Sequence, residues 1–156
     1  MHHHPEEHLK ELGIELPAAP APAAAYLPWM KTGNHVFTAG QIAVDGKEFV
    51  AQGIVGADID LETAQRCARQ CAINIIAQLK AATGDLARVK QVVKLNVFVA
   101  STPGFVEQHL VANAASQLLA DVFGEKGRHA RSAVGVPSLP LNSPVEIEAI
   151  VEVDES

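Results

Sequence analysis

The chain is poor in several things, and each shortage removes a class of function. Among 156 residues there are five phenylalanines, one tyrosine and one tryptophan, so aromatics make up only 4% of the sequence. Most of its 48% hydrophobic content is therefore Ala, Val, Leu and Ile, the composition of a compact globular domain rather than a disordered chain. No apolar run approaches the roughly 18–20 residues that a membrane span needs. Positive charge is short as well. Twelve Lys and Arg against 18 Asp and Glu leave a formal charge of −6, whereas a sequence-independent nucleic-acid groove needs a cationic footprint. The basic residues that do occur gather sparsely as Arg66 and Arg69, then as Lys126, Arg128 and Arg131. Cysteine is limited to Cys67 and Cys71, one helical turn apart. That spacing is not the C-x-x-C of redox motifs, and no second pair exists to complete a zinc site. Both read as small apolar core residues. No secretory signal is visible at the His-rich, acidic N-terminus, and a reducing, cytoplasmic setting is the expectation.

What is present fits one domain with an extension. Residues 1–16 form the extension, with a helix expected over 5–16 (PEEHLKELGIEL), acidic at its start and stopped by Gly13. The opening histidines and His8 make a metal-capable cluster that carries no functional argument. Residues 17–156 form the domain. Its first stretch, PAAPAPAAA over 17–25, reads as an extended arm leading to Tyr26 and Trp29. Gly33-Asn34 marks a turn before a strand over 35–39, and Asp45-Gly46 signals a hairpin with a second strand near 48–51. Apolar positions from Ala64 through Cys67, Cys71, Ile75 and Leu79 predict a helix over 61–82, capped by Asp60 and stopped by Gly84. Residues 91–99 alternate as a strand with Val93, Leu95, Val97 and Val99 on one face. Ser101-Thr102-Pro103 then supplies a start for a helix that ends at Gly124. The last strand, 145–153, puts Val145, Ile147, Ala149, Val151 and Val153 on one face, and Glu146, Glu148, Ile150 and Glu152 on the other. The order is β-β-α-β-α-β-β, an α+β single sheet with two helices on one face. The other face stays partly apolar, which association with further copies would cover.

The run HARSAVGVPSLPLNSPVEIEAIVEV holds the chemistry. Arg131 opens an apolar strand, and burying a guanidinium is costly unless something anionic meets it. Its planar fork suits a carboxylate in a bidentate way that lysine cannot copy. That anion is either a ligand carboxylate or an internal glutamate among Glu146, Glu148 and Glu152. By the residues alone, the internal salt bridge is the favoured reading. His129 reads as a loop histidine, since nothing stands at a triad partner's spacing. Ser132 lacks a nucleophile elbow and reads as structural.

With GNHVFTAGQI, then KLNVFVAS before a helix, then HARSAVGV, LP and VEIEAIVEV in this order, the chain resembles the reactive intermediate deaminase family. That family is also called RidA or YjgF-like, and is often labelled endoribonuclease L-PSP. The likeness runs over roughly residues 16–153. It implies a chorismate-mutase-like fold and a homotrimer with ligand clefts between subunits. The implied activity is hydrolysis of small carboxylate-bearing enamines or imines to ketoacids and ammonia, with neither metal nor organic cofactor. Under the resemblance, Arg131 clamps the ligand carboxylate, Glu146 positions or activates water, and Tyr26 stands near the cleft mouth. Asn113 matches a helix asparagine, although its spacing to Arg131 is one residue longer. Backbone amides around Gly40 and Ala133 would hold the carboxylate or the water. Two positions depart from the family pattern, Ala39 for a frequent serine and Ala133 for a cysteine. These departures keep a non-catalytic trimeric binder of small carboxylates in play. The endoribonuclease reading has the least support, given the acidic balance and the lack of a His–His or His–Lys pair near Arg131. The N-terminal extension is expected to pack across a neighbouring subunit.

Overall fold

A computed structural model describes residues 4–19 and 25–155. In chain order the elements are α1 (Pro5–Glu11), β1 (Trp29–Thr32), β2 (His35–Thr38), β3 (Gln41–Ile42), β4 (Val44–Asp45), β5 (Glu48–Phe49), α2 (Leu61–Thr83), β6 (Val89–Ala100), α3 (Gln108–Phe123), β7 (Ala130–Val136) and β8 (Val145–Val153). The main sheet runs β1-β2-β8-β6-β7, with β3 also paired to β8. All pairs are antiparallel except β6 and β7. Those two lie parallel because α3 carries the chain back between them. Strand β7 is therefore an edge. Among the described residues no helix is long and apolar enough to cross a membrane.

Strand β8 alternates buried and half-buried residues along its whole length, as its sequence requires. Its inward face packs with Val36, Leu95, Val97 and Val99 beneath α2 and α3. Helix α2 starts where Asp60 Oδ1 accepts the Thr63 N–H at 2.8 Å and stops at Gly84, φ 77°. Cys67 and Cys71 are fully buried on it. Burial pushes the Cys67 thiol up to about 11, so neither cysteine offers a thiolate.

Four expectations change. The pairing of β6 with β8 shifts register between Val92 and Lys94, so Val92 turns inward and Val93 is 37% exposed. A bulge of this kind resets which alternate residues face the core. The strand after Asp45-Gly46 pairs only with β4, in a small separate hairpin. Its expected place in the main sheet is taken by β1, where Trp29 pairs with Thr38. Ser101 does not open a helix. Its N–H donates to Val136 O and the Thr102 N–H to Val55 O, so these backbone donors serve bridges instead, and α3 starts at Gln108. Strand β7 is an exposed edge rather than a buried strand.

The N-terminal helix is also shorter than its sequence pattern. After Glu11 the Gly13 N–H reaches Lys10 O and the Ile14 N–H reaches Leu9 O, with Gly13 at φ 72°. This paired closure leaves Ile14 outside the helix. The helix packs on the body of its own chain. Leu9 is 4% exposed within the core, His8 Nδ1 donates to Val122 O at 2.7 Å, and Lys80 pairs with Glu6. Most of the Ala/Pro arm lies outside the described residues. Leu9→Ala is expected to cost about 2–4 kcal/mol of unfolding free energy, the usual range for a core leucine. Urea denaturation would check it, and a cost below about 0.5 kcal/mol would mean that α1 is not part of the folded core.

Candidate functional site

Arg131 is the second residue of β7 and lies opposite Leu95 of β6. It therefore faces the helix side of the sheet, at the rim where α3 runs alongside. Three neutral groups of α3 hold its guanidinium. Nη1 donates to Asn113 Oδ1 at 3.0 Å and to Ser116 Oγ at 3.0 Å, and Nη2 donates to His109 O at 3.4 Å. A guanidinium has five N–H donors. Nε–H and one Nη2 hydrogen find no partner among the described residues. The internal glutamate expected from the sequence is absent: the ion pairs among the described residues are His4–Asp85 and Lys80–Glu6. Sheet parity explains why. Glu146, Glu148 and Glu152 alternate outward on β8, away from the face that Arg131 occupies.

Behind Arg131 the network continues. His129 Nδ1 lies 2.7 Å from Gly127 O, which can only accept, so that nitrogen carries the proton. The neutral ring then accepts the Ser116 hydroxyl at Nε2, at 2.9 Å, and Ser116 accepts from Arg131. Burial, with Arg131 adding repulsion, holds the imidazolium pKa of His129 below its usual value, which favours this neutral form. Gly127 allows the strand to approach: a Cβ there would lie 2.1 Å from Leu119 O. A cleft of about 490 Å³ opens beside this network, lined by Asn113, Ser116, Gln117, Arg128, His129 and Arg131.

The other candidate residues lie on the outward face. Glu146 sits between Ile42 of β3 and Phe98 of β6, half-buried. Its carboxylate crosses over Gly40, where a Cβ would stand 2.5 Å from Oε2. Only glycine permits that approach. Burial first, and then the neighbouring charge of Glu148, raises the Glu146 carboxyl above its ordinary value. The irregular chain around Gly40 is held from behind by amides that sequence reading missed. Asn74 Nδ2 donates to Ile42 O at 3.0 Å and Val44 O at 2.8 Å, while Gln41 Nε2 donates to Ala39 O at 3.0 Å. Gln78, fully buried one turn beyond Asn74, reaches Gln41 Oε1. The signal was available: both are polar residues at inward positions of an otherwise apolar helix face.

The predicted residues thus fall into two groups. Arg131 and Asn113 are hydrogen bonded, and Ala133 follows on the same face of β7, half-buried against the core. Gly40 and Glu146 meet on the opposite face, two strands away from β7. Tyr26 precedes β1 and is 55% exposed. Across the outward face Met30, Phe37 and Ile150 form one register row, with Met30 56% and Phe37 42% exposed.

The raised Glu146 carboxyl has a stability consequence. A carboxyl whose folded pKa exceeds its unfolded value stabilises the fold fully below the unfolded value, near 4.5, and loses that contribution as pH rises through the folded value. Glu146→Gln removes the titration. It is therefore expected to be more favourable for stability, relative to the parent chain, at neutral pH than at pH about 4. Urea midpoints at the two pH values would test this, and the opposite order would show that the carboxylate is stabilised where it sits.

A family model described as "YjgF/chorismate mutase-like, putative endoribonuclease" matches residues 6–153. Protein TCP17 of Trypanosoma cruzi is 48% identical over 147 residues, covering 94% of this chain and 92% of its own. A 2-iminobutanoate/2-iminopropanoate deaminase of Dermatophagoides farinae is 31% identical over 141 residues, covering 90% of this chain and 95% of its own. The crystal structure of Atu1372 from Agrobacterium tumefaciens, a protein of unknown function, superposes with a TM-score of 0.91 at 54% identity. That match covers 96% of this chain and 92% of that one. By its sequence and by its mixed sheet with covering helices, the chain belongs to the YjgF/chorismate mutase-like family.

Proposed function

We propose that the protein hydrolyses small enamine or imine carboxylates to ketoacids and ammonia, in clefts completed by a second copy of the chain. The observation that carries this reading is Arg131, held by neutral acceptors with Nε–H and one Nη2 hydrogen unpaired. A guanidinium oriented in this way is a preformed carboxylate clamp. Deaminase-named relatives support the reaction class. Because Glu146 lies on the other face of the same sheet, the carboxyl that meets the substrate comes from a neighbouring copy. The apolar row of Met30, Phe37 and Ile150 supplies a surface for such docking. A homotrimer is the assembly that the family resemblance implies.

In this mechanism Arg131 binds the carboxylate of a protonated imine. Glu146 takes a proton from water as the oxygen attacks the imine carbon, forming a neutral carbinolamine. Glu146 returns that proton to nitrogen, and the carbon–nitrogen bond breaks as the hydroxyl proton is released. The products are ketoacid and ammonium. A carboxyl raised by burial is better suited to passing a proton in both directions than one at its ordinary value.

A second reading, a non-catalytic binder of small carboxylates, is favoured by Ala39 and Ala133, which bring no hydroxyl or thiol to the site. The endoribonuclease reading fits less well, since both ring nitrogens of His129 are already engaged. The discriminating experiment measures ketoacid release from freshly generated 2-imino acids. Arg131→Ala and Glu146→Gln are each expected to lose at least about 100-fold in rate. Refolding the two variants together should restore part of the activity, because mixed assemblies bring an intact Arg131 to an intact Glu146. Ligand binding without any turnover would select the binder, and no rescue in verified mixed assemblies would place both residues in one subunit's site.

A further inference from the structure

We propose that the cleft beside Arg131 takes a substrate with two anionic groups, one carboxylate on Arg131 and a second carboxylate or phosphate on Arg128. The inference rests on the carboxylate-clamp reading of Arg131 and adds the class of substrate. Its basis is the charge balance of the lining. In a chain with 18 Asp and Glu against 12 Lys and Arg, this cleft is lined by two arginines, a histidine, an asparagine, a glutamine, a serine and small residues, with no Asp or Glu among them. Neither guanidinium takes part in an ion pair among the described residues.

Arg128 is not simply a side chain on a loose loop. Its backbone N–H donates to Glu125 O at 3.2 Å, and its carbonyl accepts from Gln91 Nε2. The same Gln91 amide reaches Lys126 O at 3.2 Å. Strand β6 therefore pins the stretch that carries Arg128 to the side of the cleft opposite α3. That stretch passes close to α3 because Gly127 has no side chain. The opposite wall is a single stripe of α3, namely Asn113, Ser116, Gln117 and Ala120. Gln117 is tied to Asp121 by its amide nitrogen at 2.8 Å, so its carbonyl oxygen stays free to orient toward water or a ligand. A monoanion would engage Arg131 alone, whereas a dianion would engage both cations at once.

The test uses ketoacids as ligands, because they share the product's carboxylate and are not turned over. Binding of 2-oxobutanoate and 2-oxoglutarate to the full-length protein would be measured by titration calorimetry at low and moderate salt. The parent chain is expected to bind the dicarboxylate about tenfold more tightly, the worth of one further charge-assisted contact. Arg128→Ala should bring the ratio of the two affinities toward one, and Arg128→Lys should keep part of it. Arg131→Ala should abolish binding of both ligands. If the parent binds both ketoacids equally, or if the ratio survives Arg128→Ala, the second anion site is overturned while the carboxylate clamp stands. If neither ketoacid binds the parent, the clamp and this inference fall together.

Discussion

The alternation of β8 and its pairing with β6 govern everything else in this molecule. Strand β8 lies inside the sheet, paired with β2, β3 and β6. Its inward Val145, Ile147, Ala149, Val151 and Val153 are buried under the helices, which leaves its glutamates no choice but the outward face. Since side chains alternate with a period of two, a one-residue slip in register would expose the apolar set and bury three carboxylates. That penalty holds Glu146 on one side of the sheet. The parallel pairing of β7 with β6 then holds Arg131 on the other. A site that needs both groups cannot close within one copy.

The two halves solve different electrostatic problems. Arg131 meets dipoles rather than a countercharge: an amide oxygen, a hydroxyl and a helix carbonyl. Such partners orient the guanidinium and satisfy its inner donors without neutralising it, so its attraction for an anion is kept. An internal glutamate would have stabilised the free protein and blunted the site. Glu146 is placed the other way, with no side-chain hydrogen bond among the described residues, partial burial and a like-charged neighbour in Glu148. Asn96 donates to Glu148 at 3.0 Å. One half is thus built to hold charge and the other to give it up.

Support for these halves comes from buried polar groups rather than from the apolar core. Asn74, Gln78 and Gln41 hold the chain around Gly40, and Ser116 and His129 hold Arg131. Buried amides without partners would cost more than they contribute. Here Asn74 and Gln41 donate to backbone carbonyls of the irregular segment on either side of β3, and Gln78 donates to Gln41. The irregular segment and the polar positions of α2 are consequences of each other.

Local signals were enough for much of the fold. Asp60 and Gly84 bound α2, and the two-residue period of β8 named its buried face, because capping and alternation act over a few residues. They were also enough to single out Arg131, as a charge whose place in an apolar run needed explaining. They failed where a long-range pairing decided. The bulge at Val93, the entry of β1 into the sheet and the use of Ser101 in a bridge all depend on strands distant in sequence. The sequence by itself determined which residues could be core, cap or clamp, since those properties belong to side chains and their spacing. Only the tertiary structure decided that Arg131 would find Asn113 and Ser116 rather than a glutamate, and that Glu146 would lie across the sheet from it. Those outcomes are set by strand register and by the path of α3, which bring together residues that no local spacing relates.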